Sequence, residues 1–390
     1  MTTPTTPEPR PVVPAPSGGE TGEAITYATA GVDTEAGDRA VELMRSAVQR
    51  TLTPEVLGGF GGFAGLVDAS ALKDYGRPLL ATSTDGVGTK IAIARAMGVH
   101  DTIGQDLVAM VVDDIVVVGA KPLLMTDYIA CGKVEPTRIA DIVRGIAAAC
   151  EIAGVPLLGG ETAEHPGLMA PDEYDVAGAA TGVVDAEDVL GPERVRDGDV
   201  LLAMASSGLH SNGYSLVRRV VDAAGWALDR DVPELGRTLG EELLEPTALY
   251  TRPSLDLAGA LGADLHAFTH VTGGGLAANL ARVLPAGLVA GVDRGSWAVP
   301  PIFGLLQGLG RVPWDDLEGT LNLGVGMVAV LAADRVDEAM VLLADADVPS
   351  WVIGEIALGD GSAPDGARVV SGTKGVDGGA VHLTGNYRPA

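Results

Sequence analysis

Residues 84–90, Thr-Asp-Gly-Val-Gly-Thr-Lys, place a carboxylate, two glycines, two hydroxyls and an ammonium within seven positions. The preceding residues 79–83 are typical of a strand, and residues 91–97 indicate a helix that ends at Gly98. A glycine-rich turn between a strand and a helix can bind phosphate, because its backbone N–H groups approach the oxygens closely. Asp85 would repel a bare phosphate, so the stretch predicts a metal ion between the two. The alternative is a tight turn capped by Asp85.

The composition sets the size and class of the protein. The chain has 390 residues, 47% hydrophobic and 20% charged, which predicts two domains of ordinary size. The formal net charge of -26 argues against a nucleic-acid partner and against an anionic membrane. Residues 1–24 lack the pattern of a signal peptide, and no apolar run reaches transmembrane length. Two cysteines, Cys131 and Cys150, predict a reduced, cytoplasmic protein without a zinc site.

Strand-like and helical segments alternate in both halves of the chain, which predicts an α/β or α+β architecture. Charged residues, Gly and Pro cluster at 185–198, so we place the domain boundary near residue 190. The predicted units are a disordered tail over 1–24, an N-terminal domain over 25–190, a C-terminal domain over 191–358 and a weakly ordered tail over 359–390.

Residues 107–118 are apolar on nearly all sides and predict a buried helix, yet they contain Asp113 and Asp114, and Asp106 stands just before them. By helix geometry Asp106 and Asp113 share one face, and Asp114 lies about 80° away. Carboxylates on such a helix are costly unless they are paired or bind a cation. One interpretation is that Asp106 caps the helix and that Asp113 or Asp114 forms a salt bridge. The favoured interpretation is that some of these acids join Asp85 around Mg²⁺.

Two further carboxylates are candidates for the same metal. Glu161 follows a predicted strand and two glycines, so its side chain can stand at the end of that strand. Asp127 lies inside another strand-like segment. Carboxylates with few histidines match Mg²⁺ better than Zn²⁺.

Three later loops also have the composition of a binding site. Residues 206–215, Ser-Ser-Gly-Leu-His-Ser-Asn-Gly-Tyr-Ser, offer hydroxyl and backbone donors to a phosphate or a sugar. His210 in this loop either touches substrate or is structural. Residues 270–275, His-Val-Thr-Gly-Gly-Gly, and 322–327, Asn-Leu-Gly-Val-Gly-Met, permit close backbone approach.

Several common motifs are excluded. Residues 59–64 and 324–329 match G-x-G-x-x-A, but neither is the first turn of a strand–loop–helix unit with an acid about 20 residues further on. Residues 86–90 lack the spacing of a Walker A loop. No Ser-His-Asp arrangement or nucleophilic Cys stands out in the sequence.

Eight motifs in a fixed order resemble one family. They are residues 31–33, 58–63, 85–90, 101–104, 159–164, 206–215, 270–275 and 322–327. Together they resemble the phosphoribosylformylglycinamidine cyclo-ligases, also called aminoimidazole ribonucleotide synthetases, over residues 25–357. The resemblance implies an enzyme of purine biosynthesis that uses ATP and Mg²⁺ to close the imidazole ring of formylglycinamidine ribonucleotide. It also implies two α/β domains per subunit, with N-terminal domains that pair in a homodimer around a β-barrel-like core.

The resemblance also implies the roles of individual residues, carried over motif by motif. It makes Asp85, Lys90, Asp114 and His210 catalytic, and Asp85, Asp114 and Glu161 metal ligands. It assigns ATP and its phosphates to Gly58, Gly59, Gly61, Gly62, Gly86, Gly88, Thr89 and Glu161, and the ribonucleotide to Ser207, His210, Ser211, Asn212, Thr272 and Gly273. Asp113 departs from the Asn that is common in the family, and it adds one negative charge near the predicted metal.

Two alternative functions remain open. One is another ATP-using member of the superfamily, such as thiamine monophosphate kinase. Selenophosphate synthetases carry a reactive Cys in the glycine loop, and carbamoyl-dehydrating relatives end in a Cys, whereas this chain has neither. The other alternative is a non-catalytic nucleotide-binding protein, which would bind ATP without substrate-dependent ADP release.

Overall fold

The computed structural model describes residues 31–58, 62–359, 362–372 and 378–389. The tail predicted over residues 1–24, and Gly59 and Gly61 of the predicted nucleotide loop, lie outside the described residues. Within this described part of the chain, no helix has both the length and the apolar character needed to span a membrane.

Helices and strands alternate along most of the described chain. The α-helices are α1 (Thr34–Thr51), α2 (Ile91–Met97), α3 (Thr102–Val116), α4 (Pro136–Ala153), α5 (Tyr214–Ala224), α6 (Leu239–Leu243), α7 (Thr251–Leu261), α8 (Gly275–Leu280), α9 (Pro301–Gly310), α10 (Trp314–Glu318) and α11 (Val336–Asp345). The strands are β1 (Val56–Leu57), β2 (Leu66–Val67), β3 (Pro78–Gly86), β4 (Lys121–Cys131), β5 (Leu157–Glu164), β6 (Tyr174–Asp185), β7 (Val200–Ala205), β8 (Asp231–Val232), β9 (Arg237–Thr238), β10 (Leu265–His270), β11 (Leu288–Asp293), β12 (Ala298–Val299), β13 (Val325–Leu331), β14 (Ser350–Leu358), β15 (Arg368–Ser371), β16 (Ala380–Thr384) and β17 (Arg388–Pro389).

The N-terminal half contains a four-stranded sheet with helices on one face. The strand order is β3–β6–β4–β5, in which β6 is antiparallel to both of its neighbours and β5 is parallel to β4. Helices α1, α3 and α4 pack together, and α3 lies on β3 and β6. The opposite face of the sheet is open, since Leu80 is 64% and Tyr128 is 42% exposed there.

The C-terminal half contains a seven-stranded sheet whose strands β10, β13 and β7 are covered on both faces. The strand order is β10–β13–β7–β14–β11–β16–β15, and every neighbouring pair is antiparallel except β11 with β16. Alternate residues of β7 point to opposite faces, as strand geometry requires. Leu201 and Ala203 therefore enter the large core, while Leu202 and Met204 join a second cluster with residues of α7 and α11.

The strongest sequence signals are confirmed by the structure. Helix α4 begins at Pro136 after Glu135, whose carboxylate accepts hydrogen bonds from the next backbone N–H groups. It ends at Gly154, which takes the left-handed conformation with φ 75°.

Two segments differ from the prediction. Residues 159–164, expected as a loop after a short strand, complete β5, because each of them pairs with a residue of β4. Residues 359–390, expected to be weakly ordered, contribute β15, β16 and β17. Val381 and Leu383 of β16 are fully buried, and this burial of apolar surface offsets the entropy lost by ordering the segment.

Candidate functional site

The loop at 84–90 meets the loop at 206–215 where the two halves of the chain join. Ser211 Oγ donates a hydrogen bond to Val87 O at 2.7 Å. Thr89 Oγ1 and Ser215 Oγ lie 3.3 Å apart. Two motifs that are more than a hundred residues apart in sequence therefore form one surface, with Thr89 and Ser215 exposed on it.

Lys90 lies inside this junction rather than on its surface. Its Nζ donates to Asp106 Oδ1 at 2.8 Å, to His210 O at 2.9 Å and to Glu245 O at 2.6 Å. Burial lowers the pKa of Lys90, and the charge of Asp106 opposes that shift. Because its side chain is 0% exposed, these contacts do not support the predicted role of Lys90 on a phosphate. The lysine instead ties the two halves of the chain together.

Asp106 and Asp113 hold the segment that leads into α7. Asp106 Oδ1 accepts hydrogen bonds from Thr247 N at 2.9 Å and Thr247 Oγ1 at 2.6 Å. Asp113 accepts from Tyr250 N at 3.0 Å and from Thr251 Oγ1 at 2.7 Å. Burial raises the pKa of Asp113 to about 6. This carboxylate therefore caps the start of α7 instead of adding charge to an exposed metal site.

Asp114, the next residue of α3, lies in a different environment. Its Oδ1 is 2.9 Å from Nδ1 of His270, and its side chain is 41% exposed. Asp85 is its neighbour: burial raises the pKa of Asp85, and the charge of Asp114 adds to that shift. Gly86 N donates to Asp85 Oδ1 at 2.7 Å. Two neighbouring carboxylates with free oxygen lone pairs suit part of a Mg²⁺ coordination shell.

Glu161 lies apart from these two acids in the single chain. In the sheet Asp85 is opposite Gly178, Gly178 is opposite Asp127, and Asp127 is opposite Gly160. The Cα atoms of Asp85 and Gly160 are therefore three strand spacings apart, roughly 14 Å, and Glu161 follows Gly160 in the chain. Asp127 lies between them, and burial raises its pKa to about 7. Among the described residues no group of three His, Cys, Asp or Glu side chains is arranged to hold a metal, so one chain does not bring the three predicted ligands together.

His210 shapes the loop at 206–215 from the inside. It has a left-handed backbone with φ 63°, and its Nε2 accepts a hydrogen bond from Ser207 N at 3.2 Å. Accepting at Nε2 requires a neutral ring, and burial lowers the pKa of His210 well below its usual value. Since the residue is 1% exposed, the structure does not support the predicted direct contact with substrate.

Four other predicted substrate residues form the rim of the junction, whereas the fifth, Ser211, is buried. Ser207 and Gly273 are exposed, whereas Asn212 and Thr272 are half-buried. Ser207 Oγ donates to Pro246 O at 2.6 Å. A Cβ placed on Gly273 would lie 3.4 Å from Asn212 Oδ1, so the loops at 206–215 and 270–275 are in close contact.

Sequence reasoning missed two residues of this junction, His270 and Tyr250. Tyr250 Oη donates to Ala205 O at 2.6 Å, and its ring centroid is 6.1 Å from that of His210 and 6.5 Å from that of His270. A Cβ on Gly326 would lie 1.9 Å from Tyr250 Oη, which explains the glycine in the loop at 322–327. His270 could have been found from its place at the end of a strand, before three glycines. Tyr250 lies in a segment without any recognisable pattern.

A cavity of about 720 Å³ opens in another part of the molecule, at the starts of α1 and α4. Its charged lining residues include Arg39, Lys133, Arg138, Asp33 and Asp172. The predicted catalytic and metal-binding residues do not line this cavity. The junction described above is therefore a separate surface.

The chain matches two protein-family domains in order along its length. "AIR synthase related protein, N-terminal domain" matches residues 67–184, and "AIR synthase related protein, C-terminal domain" matches residues 196–364. A relative from Geobacillus sp., named phosphoribosylformylglycinamidine cyclo-ligase, is 48% identical over 339 residues, which cover 87% of this chain and 97% of the relative. Further curated relatives with the same name are 46% to 48% identical to this chain.

Solved structures with similar folds have lower identity. A thiamine-monophosphate kinase from Stenotrophomonas maltophilia has a TM-score of 0.63 at 21% identity, over 89% of this chain and 96% of the kinase. The hydrogenase maturation protein HypE in complex with ATP has a TM-score of 0.61 at 19% identity, over 91% of this chain and 96% of HypE. These likenesses establish a shared two-domain α/β fold.

Proposed function

The chain belongs to the phosphoribosylformylglycinamidine cyclo-ligase family, and we propose that its ring-closing site lies at the junction of the loops at 84–90, 206–215 and 270–275. It is an enzyme that makes aminoimidazole ribonucleotide in purine biosynthesis. The observation that carries the site proposal is that Ser211 bonds to Val87 and that Gly273 lies against Asn212. These contacts bring together three loops whose side chains suit a phosphorylated sugar and a triphosphate.

The proposed reaction has two chemical steps. The γ-phosphoryl group of ATP moves to the formyl oxygen of formylglycinamidine ribonucleotide, and ADP leaves. A nitrogen of the same substrate then attacks the formyl carbon, the C–O bond breaks, phosphate leaves with that oxygen, and a proton is released. Phosphorylation converts a poor leaving group into a good one, so the protein mainly has to position the reactants and stabilise charge.

On the nucleotide side we assign the triphosphate to the turn after β3. Gly86 and Gly88 allow its backbone N–H groups to approach phosphate oxygens, and exposed Thr89 adds a hydroxyl. Asp85 and Asp114 would hold Mg²⁺, because both are carboxylates with free oxygen lone pairs at the same edge. The bound ion would neutralise part of the triphosphate charge. Gly58 and Gly62 belong to the same assignment, as part of a glycine loop over the nucleotide.

On the substrate side we assign the ribonucleotide to the rim of the junction. Ser207 and Gly273 are exposed there, and Asn212 and Thr272 contribute half-buried polar groups. His210 and Lys90 hold the loop in place from inside through Ser207 N and His210 O, so their contribution to catalysis is positional. Tyr250 packs between the two histidines and supports the same arrangement.

The open face of the N-terminal sheet supports a homodimer as part of the proposal. Leu80 and Tyr128 expose apolar surface on that face, and Glu161 stands on the same row of the sheet as Tyr128. A second copy that covers this face would bury Leu80 and Tyr128 and place Glu161 at an interface. We therefore keep Glu161 in the nucleotide site through dimerisation. Light scattering should give twice the mass of one chain. We also expect the protein in the cytoplasm.

ADP release tests the function directly. The protein is incubated with ATP and Mg²⁺, with and without formylglycinamidine ribonucleotide, while the aromatic amine product is followed by diazotisation. We expect ADP and amine in equal amounts, and only when the ribonucleotide is present. ATP binding without amine would refute ring closure, and thiamine monophosphate would then be the next substrate to test.

A further inference from the structure

Residues 365–372 and 378–389, which we call the C-terminal brace, lie beyond the match to the family's C-terminal domain and converge on one buried carboxylate. Glu318, at the end of α10, is 3% exposed. Its carboxylate accepts from Arg294 Nε at 2.6 Å and Arg294 Nη2 at 2.9 Å, from Arg368 Nη1 at 2.8 Å and from Tyr387 Oη at 2.5 Å. Two of these three partners, Arg368 and Tyr387, belong to the brace.

Aromatic packing and strand pairing fix the brace in the same place. The ring of Tyr387 lies 5.5 Å from that of Trp297 and 5.6 Å from that of Trp314, measured between centroids. Strand β17 pairs with β12, directly after Trp297, and Arg294 Nη1 donates to Leu383 O of β16 at 3.1 Å. The charged hydrogen bonds to Glu318 are therefore backed by a packed apolar contact, which makes the joint rigid.

Glu318 and Trp297 in turn support the loops of the proposed substrate site. A Cβ on Gly275 would lie 1.8 Å from Glu318 O, so the loop at 270–275 rests directly on the end of α10. Trp297 Nε1 donates to Leu323 O at 2.9 Å, in the loop at 322–327. The adjacent Asn322 donates from Nδ2 to Gly208 O at 2.9 Å, and thereby holds the loop at 206–215.

From this chain of contacts we infer that the C-terminal brace positions the ribonucleotide-binding loops, with Tyr387 and Arg368 as positioning residues. The inference rests on the substrate site assigned under the proposed function. Tyr387 contacts Glu318 and Trp297, and it acts on the loops through them. Loosening it should therefore weaken binding of the ribonucleotide while leaving the ATP side unchanged.

Two substitutions of Tyr387 test the inference. Tyr387→Ala removes both the hydroxyl and the ring, and we expect KM for the ribonucleotide to rise about tenfold with KM for ATP within about twofold. Tyr387→Phe keeps the ring contacts with Trp297 and Trp314, so it should recover most of that loss. The matched control is Val369→Ala, because Val369 is 47% exposed in β15 and should change neither KM. A lower melting temperature for Tyr387→Ala with both KM values unchanged would overturn the inference.

Hydrogen exchange gives a second test that does not need activity. In Tyr387→Ala we expect faster exchange of the backbone amides of Ser206, Gly275 and Gly324, which are hydrogen-bonded within the braced loops. The amides of β3 serve as the internal reference. If the wild-type protein makes no amine, the proposed function fails while the exchange result still decides the inference. Unchanged exchange at those three amides would contradict it.

Discussion

Asp113 and Asp114 are neighbours on one helix, and the structure gives them opposite environments. Asp113 and Asp106 lie on the same face of α3. Both are wholly buried, and both accept hydrogen bonds from the C-terminal half. Asp114 is 41% exposed and lies beside Asp85 and His270. One face of α3 thus holds the two halves together, and the adjacent face leaves the carboxylate of Asp114 partly exposed.

The role of a carboxylate in this protein depends more on the group it contacts than on its position in a motif. Buried Asp106 is paired with Lys90, and its Oδ1 accepts two further hydrogen bonds from Thr247, whereas its Oδ2 has no hydrogen-bond partner among the described residues. Asp114 has one described partner, His270, and keeps oxygen surface for another. A cation would therefore be attracted to the face of α3 that carries Asp114 and not to the face that carries Asp106.

Breaking the buried face should have the largest effect. Lys90→Met leaves Asp106 as an unpaired buried charge, and we expect the free energy of unfolding to fall by about 3–5 kcal/mol. Urea unfolding followed by circular dichroism measures this. The double variant Lys90→Met/Asp106→Leu should recover part of the loss, because it removes the stranded charge as well. Lys73→Met is the control, since Lys73 is exposed and should change stability by no more than about 0.5 kcal/mol. A Lys90→Met protein as stable as wild type would show that Lys90 does not hold the two halves together through His210 O and Glu245 O.

Changing the exposed face should spare stability and remove activity. Asp114→Asn keeps the shape of the side chain and its contact with His270 but loses the negative charge. We expect kcat/KM to fall about 100-fold, with the melting temperature nearly unchanged. Steady-state kinetics over a range of Mg²⁺ concentrations measure this, and the variant should need more Mg²⁺ for half-maximal rate. Asp101→Asn, at an exposed position just before α3, is the matched control. A Mg²⁺ dependence like that of wild type would remove Asp114 from the proposed metal site.

The sequence was sufficient to predict much of the fold. The proline, the apolar spacing and the terminal glycine of α4 are local signals in the sequence, and they mark both ends of the helix. The length of β5 was underestimated because its two glycines are typical of a loop. Pairing with β4 keeps these glycines in the sheet. The C-terminal brace was missed because short strands among glycines show no period, and their stability comes from distant partners such as Glu318. The domain limits stay a prediction.

The candidate site could be predicted only as a set of loops. Motif order pointed to the loops at 84–90, 206–215 and 270–275, and the structure brings them together. It could not reveal that Lys90 faces inward, because two of its partners, His210 O and Glu245 O, are backbone groups far along the chain. The partners of Asp113 likewise lie 137 and 138 residues away. Such pairings follow from tertiary structure and leave no local pattern to read.

The smallest predicted effect depends on pH and sharpens the contrast between the two acids. The pKa of Asp113 is raised to about 6 in the folded protein, against about 3.9 when unfolded, so the native state holds its proton more tightly. Stability from this group is therefore present below pH 4 and lost as pH rises to about 6, by at most about 3 kcal/mol. Asp113→Asn cannot ionise, so its free energy of unfolding relative to wild type should increase from pH 4 to pH 6 and then level off.

Urea unfolding of wild type and Asp113→Asn at several pH values between 4 and 8 measures this difference, and taking the difference cancels the other titrating groups. Asp113→Ala separates charge from hydrogen bonding, because it leaves Tyr250 N and Thr251 Oγ1 without their acceptor at every pH. The free energy of unfolding of Asp113→Ala should be about 1–3 kcal/mol below that of Asp113→Asn throughout the pH range. A stability difference between wild type and Asp113→Asn that does not change with pH would mean that Asp113 is ionised as easily when folded as when unfolded. The buried face of α3 would then be as accessible to water as the exposed one, and the distinction between Asp113 and Asp114 would fail.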